Sequence, residues 1–417
     1  MAAKGSEHSN MTDESRSDDA RRDTLRCGVF VPPFCQRHAD GTLAIEREFE
    51  LVEHLDRIGF DEAWIGEHHS GGTELIGSPE LFIAAAAERT RRIRLGTGVI
   101  SLPYHHPMMV ADRVVQLDHQ TRGRAMFGFG PGLLTSDARM LGIPADKQRD
   151  RMVESLEVIL RLLDGETVTR KTEWFELCEA RLQLAPYSRP RPHIAVASAV
   201  TPSGGKLAGR FGLGLLGVAA ASAQGFGTLG TNWQIAEREA AAQGQTVHRS
   251  QYRMVAPFHI AETRDQAMAE VKEGFEEWAD YTRKINPLGP ISLGMESPQF
   301  INETGNGAIG TPDDAVVALE KFWEQSGGFG CILLLGQTWA SAAATQRSCT
   351  LFAEYVMPKF TRRNARRMAS LDWMGENVQA FSAASKDAAD KATEKLIGKH
   401  TAEEETTYAD RTRKALK

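Results

Sequence analysis

The 417-residue chain has no apolar run near the ~20 residues that a membrane-spanning helix needs, so no such span is expected. Cysteine is scarce: Cys27, Cys35, Cys178, Cys331 and Cys349 are odd in number and scattered, with no metal-ligand spacing. They read as reduced cytosolic thiols without a chemical role, and no metal site is expected. Excess charge is also missing. With 25% charged residues the formal balance is only −6, which argues against nucleic acid or an anionic membrane as partner. Residues 1–23 lack apolar periodicity and any apolar core of a secretory signal; the expectation is a disordered tail and a cytoplasmic protein.

What is present is a long alternation of short apolar runs and amphipathic stretches. Strands are expected at residues 25–32, 63–66, 93–99, 125–130, 193–197, 213–218, 252–261 and 331–335. Helices fall between them, among them 46–58, 79–90 behind Ser78 as N-cap, 107–121, 146–163, 264–284 and 312–325. Residues 166–184 alternate as a small hairpin excursion. Eight strands alternating with helices over residues 24–360 predict an α/β fold, a (β/α)8 barrel with insertions; an open doubly wound sheet is the rival. Residues 286–310, rich in Gly, Pro, Ser and Asn, exceed a usual connection and are a candidate lid. Residues 361–417 mix both charges at low hydrophobicity and are expected to form a peripheral helical extension, partly disordered.

Polar residues gather where these strands end, the face on which parallel barrels bind ligands. Glu67-His68-His69 follow the second strand. Successive residues there point different ways and no third carboxylate ligand lies at suitable spacing, so a metal is disfavoured. What remains is either histidines tied into a strand end or an imidazole serving a cofactor as base or donor, tuned by Glu67. The run Leu95-Gly96-Thr97-Gly98-Val99 suits close approach of a flat ring, or a bulge. The turn Gly128-Phe129-Gly130-Pro131-Gly132 repeats the theme without a dinucleotide fingerprint. In SAVTPSGG (198–205), hydroxyls and glycines open a helix, which makes either an anion site or a well-capped helix. His105 and His106 stay unassigned.

Taken together, EHH, LGTGVISLPYHHP, LDHQTRGRAMFGFGPG and SAVTPSGG resemble the bacterial-luciferase-like flavin monooxygenases over residues 25–360. GEHHSGG and SLPYHHP resemble the limonene 1,2-monooxygenase group within them. The resemblance implies His68 as catalytic residue beside the flavin, and a non-prolyl cis peptide at Gly98-Val99 under its ring system. It places Glu67, Gly98, Val99, Gly130, Ser198, Ser203 and Gly204 at the cofactor. The luciferase reactive cysteine and phosphate-binding arginine correspond to Gly130 and Pro131, so phosphate binding shifts to the later loop, with Arg124 or Lys206 as charge partners. Phe34, Trp64, Tyr104, Phe129 and Trp339 are candidates for an apolar substrate pocket, each equally readable as core.

The chemistry implied is monooxygenation. Reduced FMN (or FAD), made with NAD(P)H by a separate reductase, would form a flavin C4a-peroxide with O2. That species would epoxidise or hydroxylate a small apolar alkene of terpene type. A homodimer or heterodimer is implied as well. Two rivals keep the fold: hydride transfer with a deazaflavin, and a non-catalytic flavin-binding subunit.

Overall fold

The computed structural model of the protein describes residues 24–416 except 33, 200, 219, 221, 286–296, 337, 362 and 398–401. The expected tail, residues 1–23, and residues 286–296 of the expected lid lie outside the described residues. Eight parallel strands close into a barrel: β1 (Arg26–Val31), β2 (Glu62–Ile65), β3 (Arg94–Ser101), β4 (Ala125–Gly130), β7 (His193–Ser198), β8 (Gly214–Gly217), β9 (Tyr252–Ile260) and β11 (Cys331–Leu335). Between β4 and β7 stands the antiparallel hairpin β5 (Val168–Lys171) and β6 (Glu176–Ala180). The barrel expected from sequence is therefore the fold, and the open sheet is not, because β8 pairs with β9.

The helices that carry the argument are α1 (Gly41–Ile58), α2 (Pro79–Arg89), α3 (Pro107–Gln120), α4 (Thr135–Met140), α5 (Gln148–Leu163), α6 (Ser203–Phe211), α7 (Ala223–Gly227), α8 (Leu229–Ala242), α9 (Arg264–Lys284), α10 (Pro298–Thr304), α11 (Pro312–Ser326) and α12 (Ala342–Leu351). Helix α1 begins five residues before the expected Glu46, because Asp40 accepts from the Leu43 N–H (3.0 Å) and caps it. Ser78 does stand at the N-cap of α2, but its hydroxyl donates to Glu80 (3.0 Å) and caps no amide. The described part of the expected lid, residues 297–310, is ordered secondary structure: α10 and a short strand β10 (Ala308–Gly310) lying parallel to β9. The segment beyond residue 361 is a separate compact unit of two helices, α13 of the shell having ended at Phe360 (Met357–Phe360) and α14 (Ala365–Ile397) and α15 (Ala402–Ala415) following.

Strand alternation splits the core in two. Outward residues such as Ala63, Ile65, Phe127, Phe129, Ile332 and Leu334 pack against the helical shell. Inward residues such as Trp64, Met126, Val255 and Leu333 fill the barrel. At its amino-terminal end the interior holds an ionic cluster. Glu62, fully buried, accepts from Arg253 (2.5 and 2.9 Å), Arg26 (2.9 Å) and the Trp64 indole N–H (2.9 Å). Burial alone would push the Glu62 carboxyl up, but the two guanidiniums outweigh it and hold the group well below the usual carboxylate range.

Removing one partner of such a buried network leaves the others uncompensated. Glu62→Leu is therefore expected to destabilise the protein by about 3–5 kcal/mol, read from urea unfolding. A loss below about 1 kcal/mol would show that the cluster is dispensable.

Candidate active site

A cavity of ≈ 480 Å³ opens at the carboxyl ends of the strands. Its floor is the end of β3, where the Gly98–Val99 peptide bond is cis and the register with β4 shifts between Thr97 and Ile100. The glycines there are a packing requirement. A Cβ on Gly96 would stand 2.5 Å from the Trp64 ring, and one on Gly98 would stand 2.9 Å from Phe30 and 3.2 Å from Trp64. Trp64 thus fills the barrel directly beneath, and the floor is bare backbone. The run is a bulge, and its glycines are required by close packing on Trp64 and Phe30.

Beside the floor the loop after β2 meets α4. His68 is held on both ring nitrogens by carboxylates, Nε2 ion-paired with Glu74 at 2.7 Å and Nδ1 at 3.3 Å from Asp137. Burial opposes the charged ring, yet Glu74 and Asp137 overcome it and raise His68 to about 10, so the ring is an imidazolium at neutral pH. Asp137 also accepts from Ser70 and from the His69 backbone N–H. Glu67 does not tune His68. Its buried carboxylate accepts from His69 (2.9 Å), His105 (2.8 Å) and the Ser101 backbone N–H (2.7 Å), pinning the end of β3 to the end of β2. Burial raises the Glu67 carboxyl, but the bonds from His105 and His69 carry it below its ordinary value.

The opposite side of the cavity is cationic. Helix α6 follows β7 through Pro202, and no side chain caps its first amides. Gly204 sits against Ala197 and Ser198, where a Cβ would come within 2.7 Å of each. The Ser198 hydroxyl is buried beside it without a hydrogen-bond partner among the described residues. Arg149, from the first turn of α5, and Lys206 line the same region, and neither has a carboxylate partner among the described residues. Free amides at a helix start with two free cations make an anion site. The remaining wall is apolar, with Phe30, Val99, Val255 and Leu335 from the barrel and Trp278 from α9.

Residues 25–328 match the family model described as luciferase-like monooxygenase. The chain is a luciferase-like flavin-dependent monooxygenase. It is 49% identical over 334 residues to limonene 1,2-monooxygenase of Rhodococcus erythropolis, covering 80% of this chain and 86% of that one. It is 43% identical over 366 residues to 4-hydroxyprotoasukamycin monooxygenase of Streptomyces nodosus subsp. asukaensis, covering 86% and 98% respectively. Among solved structures its fold is similar to the oxygenating constituent of 3,6-diketocamphane monooxygenase from Pseudomonas putida in complex with FMN. The TM-score there is 0.68 at 23% identity, over 81% of this chain and 99% of that one.

Within this monooxygenase, His68, Glu67, Gly98, Val99, Ser203 and Gly204 all line one cavity. Gly130 lies under Val99, with room for no Cβ (2.5 Å), and Ser198 lies just behind α6. The apolar candidates fare differently. Phe129 faces the helical shell because alternation along β4 turns it outward, and Trp64 lies below the floor. Tyr104 accepts from Gln148 (3.1 Å) and packs under Gly132, whose Cβ would collide with its hydroxyl. Phe34 and Trp339 line a different cavity. Arg124 is no phosphate partner. It donates to Thr90, Ile93 and Ala87, closing the carboxyl end of α2 at the far side of β4.

Sequence reading missed Arg149, Glu74, Asp137, Trp278 and Tyr281. Glu74 stands in the loop after β2 and Asp137 in the first turn of the short helix after β4, both past strands already singled out, which was a usable signal. Arg149 lies in an ordinary charged helix turn, and nothing in the sequence marks it.

Because the His68 pKa is raised above 6.5, its ion pairs contribute fully to stability below about pH 6.5 and are lost as pH rises through about 10. NMR of ¹⁵N-histidine-labelled protein is expected to show His68 still protonated at about pH 8, and Glu74→Gln to lower its titration by a unit or more. A neutral ring at that pH would contradict the assignment.

Proposed function

We propose that this cavity binds reduced FMN and directs O2 onto a small apolar alkene of terpene type, epoxidising or hydroxylating it. The observation that carries the reading is a single cavity with an anion site at one side and an apolar wall at the other, joined by a flat glycine floor. The residues fit a flavin bearing one phosphate. The uncapped amides of α6, the partnerless Ser198 hydroxyl, Arg149 and Lys206 would take the phosphate, and Gly98-Val99 would lie beneath the ring. When bound, a reduced flavin supplies the activation of O2.

The protein's own contribution is electrostatic and steric. His68 holds a proton between Glu74 and Asp137 at the edge of the floor, placing a fixed positive charge, and a proton donor, where negative charge develops. Trp278, Val255, Leu335 and Phe30 would seat the substrate and exclude water. Reducing equivalents would come from NAD(P)H through a separate reductase, a reading supported by a relative that is named as the oxygenase component of its system.

Two measurements test this. Arg149→Ala and Lys206→Ala are each expected to weaken FMN binding about tenfold to hundredfold while leaving riboflavin binding unchanged. Turnover of a monoterpene panel that includes limonene, with reduced FMN under O2, should give oxygenated product, and His68→Ala should slow it about 10²–10⁴-fold. Hydride transfer to a deazaflavin without oxygen incorporation would overturn the reading. Flavin binding without any product would point to a non-catalytic subunit.

A further inference from the structure

A second cavity, of ≈ 630 Å³, lies along α9 about a turn before the residues that line the first. Its walls are the segment after β1 (Phe34, Cys35), α1 (Glu48), the first half of α9 (Glu273, Gly274) and the segment leading into α12 (Trp339). Gly274 lets α9 run tight against this last segment, since a Cβ there would meet the Trp339 backbone. Two aromatic pairs connect the walls of the two cavities. Phe34 abuts Tyr281 (5.5 Å between ring centroids), and Trp339 abuts Trp278 (5.3 Å), the second ring of each pair lining the catalytic cavity.

Glu48 is the anomaly here. It is only 7% exposed, its Oε2 is buried with no hydrogen-bond partner among the described residues, and it lines the cavity. An unpaired buried carboxyl is destabilising unless something compensates it. Burial pushes it up to about 8, with no charged neighbour contributing. The other titratable groups facing the cavity are Cys35, Arg47, Glu270 and Glu273. Glu270 is already engaged by His259 and Arg347, while Arg47 and Glu273 are exposed on the rim.

We propose that this cavity is a second ligand site, for a small organic ammonium whose N–H groups bond the Glu48 carboxylate while its apolar stem lies against Trp339 and Phe34. A buried carboxylate next to aromatic faces is the chemistry that recognises an ammonium. A neutral alcohol would find the same hydrogen-bond acceptor but no charge to neutralise. An anion would meet Glu48, Glu270 and Glu273 against Arg47 alone. The site is independent of the flavin reading, because none of its named residues touches the proposed cofactor.

Benzylammonium and benzyl alcohol serve as probes, titrated calorimetrically into the full-length protein with and without saturating FMN. Benzylammonium is expected to bind in both cases, which separates this site from the catalytic cavity. Binding requires Glu48 to lose its proton, so affinity should fall about tenfold for each pH unit below about 8 and level off above it. Glu48→Gln should weaken benzylammonium at least tenfold and remove that pH dependence. Ala44→Leu, which fills the cavity one helical turn before Glu48 and keeps the carboxyl, should block both probes and stands in should Glu48→Gln fail to fold. Equal binding by wild type and Glu48→Gln, benzyl alcohol binding as tightly as benzylammonium, displacement by FMN, or no binding at millimolar probe would each overturn the proposal.

Discussion

The catalytic cavity depends on where Trp64 is allowed to sit. Its indole N–H is fixed by Glu62, its ring lies 4.9 Å from the Arg253 guanidinium, and it fills the barrel beneath β3. A side chain of that size inside a barrel of eight strands requires its neighbours to give up theirs, and Gly96, Gly98 and Gly128 do so. The floor is therefore bare because the layer below is full. The buried ion cluster at the amino-terminal end and the ligand-ready face at the carboxyl end are two consequences of one packing arrangement.

Above that floor, three carboxylates and three histidines are sorted into two separate clasps. Glu67 spends its lone pairs on His69, His105 and Ser101, and so joins adjacent strand ends. Glu74 and Asp137 enclose His68. The adjacent histidines of one short motif thereby acquire different tasks: one braces the scaffold, and the other is a buried cation facing the cavity. The low local dielectric makes each pairing stronger, and any loss of it more disruptive, than the same pair in water.

The barrel was legible because strands buried on both faces and amphipathic helices alternate strongly, and the eight expected strands lie within a residue or two of the eight barrel strands. The polar members of the site were legible for the same reason: strand ends are identifiable, and function gathers there. The apolar members were not. Phe129 could have been set aside by alternation from Met126, but Trp64 points inward and differs from a pocket residue only in depth, which no one-dimensional pattern records. Trp278 and Tyr281 come from α9, a helix whose register against the barrel is decided by Gly274 packing on Trp339. Arg124 and Arg149 look alike in sequence. Only the fold sends one to a helix terminus at the far end of β4 and the other to the cavity.

Helix α9 gives the clearest case of one element serving two spaces. Residues three and four apart share a face, so Trp278, Tyr281 and Thr282 form one wall of the catalytic cavity, while Glu270, Glu273 and Gly274, about a turn earlier, face the second cavity. The aromatic pairs Trp278–Trp339 and Phe34–Tyr281 link the two walls. Close-packed rings of this kind do not deform gradually; they move between rotamers. The relatives that share this barrel are named for very different molecules, a monoterpene in one and 4-hydroxyprotoasukamycin in the other. The glycine floor is set by barrel strand β3 and the layer packed beneath it, which leaves little room to vary. The α9 wall is held by side-chain packing alone, and so it is the part of the cavity whose shape can change while the chemistry stays in place.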